Sequence, residues 1–390
     1  MQRAYTGSKP VISSSLANIP CGCLGIQGLL DLLNSTLGTS YTLDTKSLFS
    51  VLEDCIAKNY DFGTAYGRLR SAWGCDDIQK ELLEYEAKDR ELRRKAVKGS
   101  RIVDPSIKPR RVWDLYSNRV VPWWCCEVKF HWDDEARPIS HAWVDEVDRI
   151  DMWTPINGQE WPVPIPKGAS LDLIRIEMLN MGLEYAWLDV LCLRQRGGPR
   201  EDLRVEEWKL DVPTIGIIYH GAEVVCYLSG LGLPLSLKEG DLESDRSWFR
   251  RAWTVQEVGR TRSIAGDTPD GPLHGDAGNY EDKILMKFHR QLESVETANG
   301  LFSVLSVMQD RTSTYPIDKV AGLAYSLYTH SIPAYYESQS LEDAWTALVF
   351  EMDAIIRGDL FFTYPEPGTG CVKWRPSWEQ VVEKPLPEGR

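Results

Sequence analysis

His141, Asp189 and Cys192 are of the residue types that make a base, its orienting acid and a nucleophile. Each lies in or beside an apolar run, and neighbouring strands would bring the runs together. Cys192, however, stands between Leu191 and Leu193 and lacks the glycine pattern of a nucleophile elbow. It therefore reads as a small buried hydrophobe. Asp189 must be paired or hydrogen-bonded if it is buried. It is either a polar group at a cleft or a fold-specifying contact to a nearby helix start. Arg194, Arg250 and Arg251 can each grip a phosphate through paired donors, or simply face solvent. Glu257 lies one turn from Trp253 and two from Arg250 on the helix expected over 248–259. There it can pair with Arg250, Arg251 or Arg260. Gly197-Gly198 lacks the Lys and Ser/Thr of a phosphate loop and reads as a turn. Cys21-Gly22-Cys23 and Cys125-Cys126 lack zinc-ligand spacing, so no metal site is expected.

The elements that must hold these residues follow from periodicity. Residues 138–144, 185–191, 223–229 and 262–265 read as strands. Leu171, Ile174, Met178 and Met181 mark a helix between the first two. Val205, Trp208, Val212, Ile215 and Tyr219 mark a second, with a break at Pro213 or Gly216. The helix over 248–259 has Ser247 as its N-cap and Gly259 as its stop. Alternation of this kind predicts an α/β fold: a parallel sheet flanked by helices, with ligands at the carboxyl ends of the strands. Those ends follow Val144, Leu191 and Ser229.

Either side of this unit the chain reads as helical. Residues 1–110 form an N-terminal region with helices over 26–33, 45–58 and 76–98, and 111–136 form a lead-in. Residues 266–390 open with a Gly-, Asp- and Pro-rich loop over 267–280. Helices over 281–296, 301–309, 318–328 and 341–356 follow, and then an irregular tail from Tyr364.

The net charge of −13 over 390 residues repels nucleic acid and anionic membrane, so neither is an expected partner. The basic residues from Lys88 to Arg111 read as a solvated helix face, or else as a docking patch for an acidic partner. No apolar run approaches the length of a membrane span, and no signal-peptide pattern opens the chain. Nine cysteines without a framework suit a reducing compartment. Together these suggest a cytoplasmic or nuclear protein.

Four segments, in order, resemble the heterokaryon-incompatibility (HET) domain of filamentous fungi. Ile139-Ser140-His141-Ala142-Trp143 is similar to that family's opening strand. Trp187-Leu188-Asp189-Val190-Leu191-Cys192-Leu193-Arg194-Gln195 is similar to its second motif. Ile218-Tyr219, Ala222 and Tyr227-Leu228-Ser229-Gly230 resemble its third, and Trp248 to Glu257 its fourth. Arg311-Thr312, Pro316, Asp318-Lys319-Val320 with Gly322-Leu323-Ala324, and Pro376-Ser377-Trp378 resemble elements that often follow the core. The resemblance covers residues 137–265, about a third of the chain. His141 replaces a more usual Tyr, Val144 a more usual Gly, and Pro213 interrupts a helix written without it.

HET domains are thought to resemble Toll/interleukin-receptor (TIR) domains, which have a flavodoxin-like fold and in some cases hydrolyse NAD. The resemblance thus implies Glu257, with Trp253 before it, as a catalytic carboxylate and NAD as a substrate. His141, Trp143, Asp189, Arg194, Arg250, Arg251 and Trp253 would be its cleft. Breaking the nicotinamide–ribose bond builds oxocarbenium-like charge that a carboxylate stabilises. The leaving group needs no acid. Three functions stay open: a self/non-self recognition and cell-death signalling module acting through protein partners or self-association, an NAD-hydrolysing enzyme, and a folded but inert relative.

Overall fold

Tyr185–Leu188 and Glu223–Tyr227 are apolar on both faces, and such strands belong in the middle of a helix-covered sheet. The computed structural model describes residues 3–387 except 45, 127–135, 221, 260, 267–272, 275–282, 297–299 and 328. The chain opens with helices α1 (Ser14–Ala17), α2 (Cys21–Leu37), α3 (Lys46–Ala57), α4 (Phe62–Leu69) and α5 (Ile78–Ala96). Strands β1 (Val97–Lys98), β2 (Arg101–Ile102), β3 (Arg111–Asp114), β4 (Arg119–Pro122) and β5 (Arg137–His141) come next. The hairpin of β6 (Arg149–Met152) and β7 (Val163–Pro166) leads to α6 (Leu171–Asn180) and β8 (Tyr185–Leu188). One turn, α7 (Asp189–Cys192), is followed by α8 (Glu201–Asp211), α9 (Ile215–Tyr219), β9 (Glu223–Tyr227), β10 (Thr261–Ile264) and β11 (Leu273–His274). The remainder is α10 (Lys283–Glu296), α11 (Leu301–Gln309), α12 (Asp318–Ala321), β12 (Ile332–Pro333), α13 (Leu341–Glu351), α14 (Ala354–Thr363) and α15 (Trp378–Glu383).

The main sheet has the order β11-β10-β9-β5-β8-β3-β4. Its four inner strands, β10, β9, β5 and β8, are parallel. From β8 they run second, first, third, fourth in chain order, the doubly wound order of flavodoxin-like sheets. The fold is α/β, as expected, but the sheet is mixed. β11 lies antiparallel at one edge, and β3 and β4 at the other. The lead-in expected over 111–136 thus supplies two sheet strands. An antiparallel pair needs only a tight turn, and residues 115–118 provide it, with Asn118 at φ 55° in the left-handed region.

The N-terminal helices lie against that edge. α4 approaches so closely that a Cβ on Gly63 would stand 2.9 Å from the Ser117 carbonyl oxygen. The helix had no signal strong enough to be expected. Arg119 is 1 % exposed and reaches from β4 to Asp61, the N-cap of α4, at 2.7 Å.

Three local expectations need correction. The strand over 185–191 stops at Leu188, and Asp189 starts a helical turn. The helix over 248–259 is two 3-10 turns, Trp248–Arg250 and Trp253–Val255. Between them Arg251 is extended and pairs with Thr312, while the Ala252 N–H donates to the Thr312 carbonyl at 2.8 Å. A distant segment outcompetes local helix propensity. Ser247 still caps the first turn, its oxygen accepting from the Phe249 N–H at 3.3 Å. Gly259 is no helix stop: a Cβ there would stand 2.5 Å from the Ala222 carbonyl oxygen.

The break expected near Pro213 separates α8 from α9. The loop expected over 267–280 falls outside the described residues except Leu273–His274, which is β11. The helix expected over 341–356 is two, α13 and α14, and the tail carries α15 under a Ser377/Gln380 capping box. No helix among the described residues is long and apolar enough to cross a membrane. No disulfide is formed among the described residues.

Candidate active site

Ser140 and His141 end β5, and successive residues of a strand face opposite sides of the sheet. On one side the Ser140 hydroxyl donates to Glu257 Oε2 at 2.5 Å and accepts from the buried Trp248 indole N–H at 2.6 Å. On the other, His141 Nε2 meets Asp189 Oδ1 at 3.1 Å. The parallel register, with Ile139 beside Leu188, brings the end of β5 next to the start of α7. Asp189 also accepts the Val190 N–H at 2.8 Å. Burial works against its charge. The His141 ring, Arg251 and the Val190 N–H outweigh burial and hold the carboxyl below its ordinary value.

Arg251 ties the two sides together. One guanidinium nitrogen donates to the His141 carbonyl oxygen and lies 3.8 Å from Glu257 Oε2. Its guanidinium also lies over the Trp143 ring, 4.9 Å from the centroid. The extended backbone at Arg251 aims the side chain here, which an α-helix would not have done. Arg311, 3 % exposed, donates to the Arg251 carbonyl oxygen at 2.8 Å. Burial lowers its guanidinium to about 10, with Glu257 opposing that shift.

Several of these groups line a cleft of about 490 Å³ at the carboxyl ends of β5 and β8. That is where ligands of doubly wound sheets bind. The volume is within the range of small-molecule sites. His141, Trp143, Asp189, Arg251, Trp253 and Glu257 all line it. Glu257 is 5 % exposed. The Trp143 indole N–H is buried and has no hydrogen-bond partner among the described residues. Buried donors are normally paired, and this one is not.

Two expected cleft residues lie elsewhere. Arg194 is buried under Trp161, with Glu160 at 2.6 Å and Glu207 at 3.4 Å. It packs the β6–β7 hairpin onto α8. Arg250 donates to the Asp310 carbonyl oxygen at 2.9 Å. Neither lines the cleft. Of the arginines expected to pair with Glu257, Arg251 approaches it, and Arg260 lies outside the described residues. Cys192 is no nucleophile. Burial pushes its thiol up to about 12, so it stays protonated.

The C-terminal region supplies the wall that sequence reasoning missed. Thr314, Tyr315, Asp318 and Tyr335 all face the cleft. Asp318 is 5 % exposed, and its Oδ1 accepts the Tyr335 hydroxyl at 2.7 Å. Burial raises its carboxyl to about 6, against hydrogen bonds from Tyr335 and the Trp253 side chain. The signal that could have found it was its place in the Asp318-Lys319-Val320 segment. The mouth carries Arg149 and Arg196, with Trp208 and Tyr315 as aromatic walls.

Two of the cleft's carboxyl groups sit in unlike settings. Glu257 sits beside the guanidinium groups of Arg251 and Arg311, whereas Asp318 is held by neutral donors. Among the described residues no group of three or more His, Cys, Asp or Glu could hold a metal ion. No protein-family model, no curated protein and no solved structure matches the chain.

Proposed function

We propose that this chain is an incompatibility-type cell-death signalling module whose cleft binds a nucleotide and cleaves the nicotinamide–ribose bond of NAD. The observation that carries this reading is Glu257, buried at the carboxyl ends of the parallel strands and facing a cleft with an unpaired Trp143 donor. The chemistry needs few groups. The bond between ribose C1′ and the nicotinamide nitrogen breaks, and its electron pair neutralises the positive ring. The oxocarbenium-like charge left on C1′ is stabilised by the buried Glu257 carboxylate. Water then adds at C1′ and releases a proton. Trp253 offers a flat surface to a ring, and Arg149 and Arg196 offer donors to phosphates.

A second reading keeps the signalling role without catalysis. It is favoured by the Ser140 hydrogen bond and the nearby Arg251, which give Glu257 a structural task of its own. Expression in a fungal host separates the two. Glu257→Gln keeps the acceptor for Ser140 and loses the charge. Death caused by the wild type and abolished by this variant, at equal folded protein, supports catalysis. Death retained by the variant supports the non-catalytic reading.

A further inference from the structure

A second cavity of about 470 Å³ lies where α4, the β3–β4 hairpin and residues 155–161 meet. Its volume also fits a small molecule. The lining carries Lys58, Arg68, Arg111 and Arg119 against Asp61 and Glu160. That excess of positive charge stands out in a chain of net charge −13. Three of the four cations are answered: Lys58 by Asp54 at 2.6 Å, Arg111 by Glu207 at 2.6 Å and Arg119 by Asp61 at 2.7 Å. Arg68 is not. Its guanidinium lies over the rings of Tyr60 and Trp124, 5.4 and 5.2 Å from their centroids, and makes no hydrogen bond or ion pair with the described residues. A half-buried guanidinium with its N–H donors unused calls for an anion.

The rest of the lining narrows the anion's chemistry. Thr64 and Gln159 present donors and acceptors and Glu160 presents a carboxylate, whereas the Asn157 amide is spent on the Trp161 carbonyl and the Gln159 N–H, and Asp61 on Arg119 and the Thr64 N–H. The aromatic rings are taken: Tyr60 carries Arg68, and Trp161 carries Arg111 and Arg194 at 5.2 and 5.0 Å. That leaves hydroxyl groups better served than a nucleobase. We propose that this cavity binds a phosphate-bearing polyol of sugar-phosphate size, with its phosphate on Arg68 and Lys58 and its hydroxyls on Thr64, Gln159 and Glu160.

Isothermal titration calorimetry of the full chain with glucose 6-phosphate, inorganic phosphate and glucose tests this. Glucose 6-phosphate is expected to bind saturably, inorganic phosphate more weakly and glucose not at all. Arg68→Met weakens the sugar phosphate about tenfold or more, as loss of a charged hydrogen-bond donor should. Lys58→Ala changes a side chain that is 52 % exposed, so it keeps the fold and weakens binding about threefold. It decides the matter alone if Arg68→Met does not fold. Glu257→Gln, in the other cleft, leaves this binding intact. Absence of binding, equal affinity for inorganic phosphate and the sugar phosphate, insensitivity to Lys58→Ala, or loss of binding in Glu257→Gln each overturns the proposal.

Discussion

At the scale of single residues, the cleft is defined by groups whose partners are incomplete or whose charge is discouraged. The Trp143 indole N–H is buried and unpaired. Trp143→Phe keeps the ring and removes that donor. The free chain should then be as stable as wild type, or slightly more so, because an unsatisfied donor has gone. NAD binding, read by calorimetry, should weaken about tenfold. Unchanged affinity would place the ligand away from this ring. Asp318 makes a pH prediction. Its folded-state value of about 6 exceeds the ordinary 3.8, so the native chain binds this proton more tightly than the unfolded one. The associated stability is fully present below about pH 4 and is lost as pH rises through about 6. It amounts to about 3 kcal/mol at most. The difference in melting temperature between wild type and Asp318→Asn should therefore vary across that window and stay flat above it. A difference flat across the whole range would mean that folding leaves the Asp318 carboxyl unshifted.

At the scale of elements, the parallel strands were legible because burial on both faces leaves continuous apolar runs such as Tyr185–Leu188. His141 and Asp189 were findable for the same reason, since both stand where such runs end. The segment from Trp248 to Glu257 was not, although its residues were singled out correctly. Its conformation is set by pairing of Arg251 with Thr312, sixty-one positions away, and no local pattern encodes that. Asp318 was missed as a site residue for a related reason: only the fold brings α12 to the carboxyl ends of β5 and β8. Arg194 was misplaced because a cation after a strand looks the same whether it faces a ligand or Trp161. The β3–β4 edge gives an element-scale prediction. Gly63→Ala would push a Cβ against backbone at 2.9 Å, and backbone cannot yield as a side chain can. A cost of about 1–3 kcal/mol is expected in urea unfolding. No cost would mean that α4 does not rest on the Ser117 turn.

At the scale of the whole molecule, the cleft is not the property of the central sheet alone. The end of β5, the start of α7 and the segment after Trp253–Val255 supply His141, Asp189 and Glu257 from one side, and the C-terminal region closes the other with Tyr315, Asp318 and Tyr335. Arg311 anchors the two through the Arg251 carbonyl. A chain ended at residue 296 should consequently lose NAD binding and unfold at lower temperature over a broader range. Full binding by that fragment would show that the wall is dispensable. The fold class and the cleft's position were therefore readable from the sequence. The closure of the cleft was not, because it depends on contacts between regions with unrelated sequence patterns.

The central claim is that Glu257 acts on NAD. The most direct test is nicotinamide release from NAD by the purified full chain, wild type beside Glu257→Gln, with both confirmed folded by circular dichroism. The account predicts release by the wild type and a loss of at least about a hundredfold in the variant, the scale of losing one preorganised electrostatic group. Equal release by both proteins, or none by a folded wild type at high concentration, would contradict it and return Glu257 to its structural role beneath Ser140.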